Sequence, residues 1–172
     1  MADLTFNTTA GLTIPRELVI AYLNTGTEQS PVWSPLGKRV EDSTAEYDWS
    51  EESTRDILGA TYNTLKKPVI SQSFDPSDLD PSDAALVKIW NMAVKDQNYN
   101  ALSALDMLIV HFYAGETSTP FAERYSACMV TPSSLGGEGG GNIQMPLNVT
   151  YGGDRTTGTA SKGQDGMITF SA

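Results

Sequence analysis

Few residues in this chain could do chemistry: one histidine, His111, one cysteine, Cys128, and 21 carboxylates among 172 residues. A cysteine nucleophile needs a base beside it, and His111 is the sole imidazole on offer. His111 lies inside the apolar run ALDMLIVHFYA, where a hydrogen-bonded core histidine is the ordinary state. Cys128 sits in a second strand-like run, AERYSACMVT, and reads as an inert buried thiol. With one cysteine, an intrachain disulfide is impossible and a thiolate-built metal centre is not expected. Asp75, Asp78, Asp80 and Asp83 suggest a calcium loop, but Leu79 and Pro81 stand where ligands belong and no glycine makes the turn. Turn formation and helix capping account for those acids. The glycines between residues 136 and 141 lack the Lys-Ser/Thr ending of a phosphate loop. No spacing singles out a pair of carboxylates for glycosidic chemistry. These residues define no catalytic, cofactor-binding or metal site, and the chain is expected not to be an enzyme.

Charge narrows the partners. The chain carries 11 basic against 21 acidic residues, a formal net charge of −10. A phosphate-backbone binder needs the opposite balance. An acidic surface does suit a wall that nucleic acid passes without sticking. The N-terminus MADLTFNTTAGLTIPREL has no basic region followed by an apolar run, and no stretch approaches the roughly 20 apolar residues of a membrane helix. A soluble chain with no membrane partner is the expectation, and its length suits one domain.

The elements that would position these residues are mostly strands. The spacing predicts one helix, over residues 80–96 within SDLDPSDAALVKIWNMAVKDQ. Asp80 is the expected N-cap, Pro81 the first helical residue, and Leu79 with Ala84 a weak hydrophobic staple. Leu86, Ile89, Trp90, Ala93 and Val94 recur at helical spacing. Leu86, Ile89 and Trp90 are the expected packing anchors. Strands are expected at residues 17–23, 62–74 with a break at Pro68, 104–114, 121–131, 142–151 and 167–170. Residues 1–15 read as an arm, and residues 16–172 as a single β domain. The glycine-rich segment 131–142 either moves freely or threads close to another backbone.

Residues 31–60 form a long loop with an unusual composition. Glu41, Asp42, Glu46, Asp48, Glu51, Glu52 and Asp56 place seven acids in sixteen residues. Tyr47 and Trp49 alternate with Glu46 and Asp48, so a short strand with one acidic face is expected. Large aromatics there, Trp33 included, are costly to leave in water. The acids read as a solvated charged face; the alternative, a subunit-contact arm, would resolve the cost of the aromatics. Deleting Ala45–Asp56 is then expected to block association and leave a folded monomer.

The order of motifs resembles a known family. ELVIAYLNTG, VWSPLGKRVED, the DILG turn, PVISQSFDP followed by one helix, and AERYSACMVTP followed by SSLGGEGGGNIQMPLNVTYGGDRTTGT resemble the major tail tube protein of long-tailed (siphovirus-type) bacteriophages. The resemblance spans most of residues 15–160. It implies a β-sandwich or partly closed barrel with one flanking α-helix. It also implies rings, hexameric as a rule, that stack into a tube around a tape measure protein and conduct DNA at ejection without binding it. The implied partners are copies of itself, the tape measure protein, and tail tip and tail terminator proteins. The implied location is the tail of the virion, after a period in the host cytoplasm. Trp33, Glu46, Tyr47, Asp48 and Trp49 are the expected ring-to-ring contacts, with Leu105–Tyr113 or Ile143–Tyr151 pairing within a ring. Two other readings fit the residues: the inner tube of a contractile phage-like injection system, and a carbohydrate-binding β-sandwich that stacks sugars on Trp33, Tyr47 and Trp49.

Overall fold

A computed structural model describes residues 3–172, so the first two residues of the expected arm lie outside the described residues. The fold is mainly β, as expected. Its spine is the long antiparallel hairpin of β7 (Leu105–Glu116), the most apolar run of the chain, and β8 (Thr119–Pro132). On the outer side of β7 lies β1 (Val19–Asn24), and on β1 the short β2 (Trp33–Pro35). Two strands share the other side of β8. β10 (Arg155–Lys162) pairs with Phe121–Tyr125, and β9 (Leu147–Tyr151) pairs with Met129–Pro132. β11 (Ile168–Ser171) extends from β10. β6 (Val69–Phe74) and then β3 (Ala45–Asp48) extend from β9. β8 thus belongs to two half-sheets that face each other.

The corner between them has a visible cause. The β7–β8 register slips between Met107↔Tyr125 and Leu105↔Cys128. The extra residue bends β8 and flips its alternation, so Tyr125 and then Cys128 and Val130 all reach the same core. Opposite the bend, Gly152 and Gly153 join β9 to β10. A Cβ on Gly152 would stand 2.6 Å from the Ala127 carbonyl oxygen, and Gly153 has φ +72° with Ser126 Oγ in its way. Only glycine fits both positions, which explains the Tyr-Gly-Gly-Asp sequence.

The space between the half-sheets is filled by Leu23, Phe74, Met107, Ile109, Leu147 and Val149 among others. One end of it is plugged by α1 (Ala84–Trp90), whose Leu86 and Ile89 are buried, each worth roughly 1.5–3 kcal/mol. Trp90 is only partly buried and packs on the edge of that core. A smaller cluster of Tyr22, Leu108, Val110, Ala122, Ala160 and Ile168 covers the other face of β1, β7 and β8.

The helix differs from its expected bounds. It starts at Ala84 and is capped by Asp83, whose carboxylate accepts from Leu86 N at 3.2 Å. Asp80 is occupied elsewhere: it accepts from Ser82 N and Ser82 Oγ and pairs with Lys38 and Arg39, so it closes the preceding turn around Pro81. Ala84 is exposed and makes no staple. After Trp90 the chain widens into a π-turn, Asn91–Lys95, then a short α2 (Tyr99–Leu102). The extra residue in that turn puts Met92 against the core and leaves Val94 exposed.

Two strands also differ. β9 begins at Leu147, five residues later than the alternation predicts, because Pro146 has no N–H to give a ladder. β10, in the Gly- and Thr-rich tail, is a full strand; its Gly158 passes so close to β11 that a Cβ would lie 2.0 Å from Ser171 O. The glycine-rich segment 131–142 folds back tightly, with Gly136 and Gln144 exchanging backbone hydrogen bonds of 3.1 and 2.7 Å.

Candidate assembly surface

The segment between β3 and β6 is a projecting arm. β3 and β6 are paired as far as Asp48↔Val69; past Ser50, at φ +47°, the chain forms a second antiparallel pair, β4 (Glu52–Arg55) with β5 (Thr61–Thr64). Lys66 N donates to Trp49 O at 3.0 Å where the arm leaves the body, and Lys66 Nζ pairs with Glu52 at 3.3 Å. All eight residues of β4 and β5 are exposed, and the two strands form a sheet of their own. The loop of residues 31–60 therefore contains one half of a hairpin that extends to Thr64.

Its tip is shaped by Asp56. The carboxylate accepts from Leu58 N and Ala60 N, both at 2.9 Å, and from the Tyr62 hydroxyl at 3.0 Å. These hydrogen bonds, that from Ala60 foremost, hold its carboxyl below the usual range. Gly59, at φ +89°, completes the turn. The turn holds two aliphatic side chains out to water: Ile57 is fully exposed and Leu58 is 89% exposed.

At the base of the arm lies a cleft of about 510 Å³ lined by Tyr47, Trp49, Pro68, Tyr125, Tyr151 and Arg155, with Lys67 at its rim. The Tyr47 and Trp49 rings sit on one face of the chain, centroids 6.1 Å apart and nearly parallel. Behind them is a polar network. Glu123 of β8 is buried, accepts from Arg155 of β10, and lies 3.4 Å from His111 Nε2 of β7. His111 Nδ1 lies 3.1 Å from the Tyr113 hydroxyl. Burial works to raise the Glu123 carboxyl, but the hydrogen bonds from His111 and Arg155 outweigh it and hold it below its ordinary value. Tyr151 donates to Gln72 at 2.6 Å. Tyr125 is 4% exposed and its hydroxyl has no partner among the described residues; burial pushes it up to about 12.

The expected contact residues divide. Glu46, Tyr47, Asp48 and Trp49 lie together on β3 and at the root of the arm. Trp33 does not join them. It is 4% exposed, packed in the smaller core cluster with the Arg124 guanidinium 5.7 Å from its ring, and Arg124 is itself anchored on Asp106. Burial answers the cost of a tryptophan in that loop without any contact arm. The expectation of ring pairing on Leu105–Tyr113 or Ile143–Tyr151 fails for a related reason. β7 is flanked by β1 and β8, and β9 by β8 and β6. The free edges belong to β2, β3 and β11. The N-terminal segment also touches the body: Asn7 N donates to Tyr113 O and Gly115 N to Thr5 O, each at 2.9 Å, while Leu4 and Leu12 stay exposed. Cys128 is buried, its thiol pushed up to about 11 by that burial, and its Sγ faces the Tyr125 carbonyl. The exposed tip Ile57–Leu58 was not singled out by sequence reasoning, although the DILG turn is a readable hairpin signal.

Body and arm together define a class: an antiparallel β-sandwich, plugged by one helix, that throws a long hairpin out from its edge. No known protein family and no curated protein matches the sequence. Solved structures match the fold. The chain is similar to one in the sheath/tube terminator of an extracellular contractile injection system, PVC, in its extended state, with TM-score 0.55, 9% identity, and 87% of this chain and 99% of that one covered. It is also similar to a chain of the anti-feeding prophage cap, the AFP tube terminating cap, with TM-score 0.51, 14% identity, and 90% and 96% covered. At these identities the likeness is one of fold.

Proposed function

We propose that this protein is a structural subunit of a phage-like tail tube, and not an enzyme. The observation that carries the reading is the arm: an all-exposed hairpin, shaped at its tip to present Ile57 and Leu58, on a sandwich body whose fold is that of tube terminators. A lone two-stranded ribbon is marginal in water, and an apolar tip on it makes sense when another molecule covers it. Glu46, Tyr47, Asp48 and Trp49 belong to the surface that meets the next ring. Copies of the chain form stacked rings, hexameric by the resemblance, around a tape measure protein, with tail tip and terminator proteins at the ends. The net charge of −10 keeps a passing DNA from adhering. The protein is located in the assembled tail and waits in the host cytoplasm beforehand.

A second reading has its own support, since the two structures named above are described as a sheath/tube terminator and a tube terminating cap. A terminator makes one ring and stops; a tube subunit propagates. Negative-stain microscopy of the concentrated purified protein separates them: tubes of many rings mark a tube subunit, single rings a cap. A persistent monomer that is retained on immobilised polysaccharide would mark the carbohydrate-binding alternative and overturn the reading.

A further inference from the structure

We infer that the arm is a knob and its root a socket: the Asp56–Ile57–Leu58 tip of one copy seats in the Tyr47–Trp49–Tyr151 cleft of the next. The inference rests on the tail-subunit reading and goes further by naming both halves of one contact. Four features support it. First, tip and cleft are each half of an apolar contact. The tip offers two uncovered aliphatic side chains on a hydrogen-bonded turn, and the cleft is walled by aromatic rings and Pro68. Second, the charges match. Asp56 carries a carboxylate at the tip, while in the cleft Arg155 is paired with Glu123 and Lys67 is the cation left to meet it. Third, the cleft holds a buried tyrosine hydroxyl without a partner, at Tyr125, which rearrangement around an incoming chain could satisfy. Fourth, tip and cleft sit on different parts of the fold: the tip ends the separate β4–β5 ribbon, while Tyr47 belongs to β3 in the large sheet, and the chain changes direction between them at Ser50, φ +47°.

Knob and socket are two different patches of one chain. Repeated in one direction the contact stacks copies, and exchanged reciprocally it closes a two-fold pair; the tail-subunit reading selects the first, and sedimentation separates the two. Ring closure falls to the free edges of the large sheet, at β2, β3 and β11.

The test uses the full chain and two variants. The tip variant is Ile57→Asp with Leu58→Asp; the cleft variant is Tyr47→Ala with Trp49→Ala. Each alone should raise the concentration needed for stacking by about tenfold or more, with circular dichroism unchanged. Mixed in equal amounts, they should join, because one intact knob meets one intact socket. The product should be a pair of rings that grows no further, seen by sedimentation and negative stain. Lys67→Glu, at an exposed position, serves as a milder cleft change and should weaken stacking in the same direction. Stacking by the tip variant at the wild-type concentration would overturn the inference and leave the tail-subunit reading standing, as would failure of the two variants to join. A cleft variant that stacks normally but loses retention on polysaccharide would reassign the cleft to a sugar. A wild type that never associates at any concentration takes down both readings.

Discussion

Two carboxylates illustrate how the same residue type is put to opposite uses. Asp83 caps α1 through one oxygen while its other oxygen is buried without a partner, and burial raises its carboxyl above the ordinary value. The cap needs an acceptor and not a charge. Asp83→Ala should therefore destabilise the protein by about 0.5–2 kcal/mol, whereas Asp83→Asn should be neutral or stabilising in urea denaturation at pH 7. Glu123 runs the other way. Its folded-state carboxyl lies below the unfolded value because the hydrogen bonds from His111 and Arg155 prevail over burial. The stability it contributes is fully present above the ordinary glutamate range and is lost as pH falls through the lowered folded value. Glu123→Gln keeps an amide oxygen for Arg155 but removes the charge and sets an NH2 group against His111, and should cost about 1–3 kcal/mol at neutral pH. The wild-type advantage over the variant should shrink as pH falls below the ordinary glutamate range, read from denaturation curves at a series of pH values. A constant difference down to pH 3 would show that the Glu123 charge is not what matters.

Elements were legible where one physical signal dominated. The apolar runs of β1, β7 and β8 mark them as strands, the two facings of β7 follow from alternation, and the hairpin joining β7 to β8 follows from GETSTP, whereas the flip within β8 comes from a bulge that no alternation shows. The sequence misleads where tertiary packing outvotes a local cue. Asp80-Pro81 reads as a helix start, yet Lys38, Arg39 and Ser82 claim Asp80 for a turn. RTTGTASK has no apolar alternation, yet β10 exists because β8 offers it a ladder and Gly158 lets β11 approach. Trp33 reads as a stray surface aromatic because its partners, Arg124 and β11, are far away in sequence. The arm was half visible as acidic and aromatic, but its true span, from Trp49 to Lys66, depends on pairing that no composition shows. Deleting Ala45–Asp56 would thus remove β3 and strip β5 of its partner, so it does not isolate the contact. Replacing residues 51–65 by a short turn does, and should leave a folded body. In hydrogen exchange followed by mass spectrometry, β4 and β5 should exchange quickly in the dissociated chain and become protected on assembly, while the centre of β7 stays protected throughout. Strong protection of the arm in isolated subunits would mean that it is stable without a neighbour.

For the whole molecule, two electrostatic effects of opposite sign meet at the same interface. Each copy brings a net charge of −10, and that repulsion acts over the full separation between subunits. The tip brings Asp56 against Lys67, since Arg155 is already paired with Glu123, and that attraction is confined to a contact partly shielded from water. Salt acts first on the long-range term. The Debye length falls from about 30 Å at 0.01 M to about 8 Å at 0.15 M, short against the spacing of whole subunits but not against a contact pair. The apolar part of the contact is indifferent to this range. Stacking should therefore become easier from 0.01 to 0.15 M salt, with the critical concentration in light scattering falling. Toward 1 M, where the Debye length is about 3 Å, the gain should level off as the tip pairs are screened in turn. Lys67→Glu should abolish that levelling, because no local attraction remains to lose. Stacking that weakens steadily from the lowest salt upward would mean that ion pairs, not Ile57 and Leu58, hold the rings together.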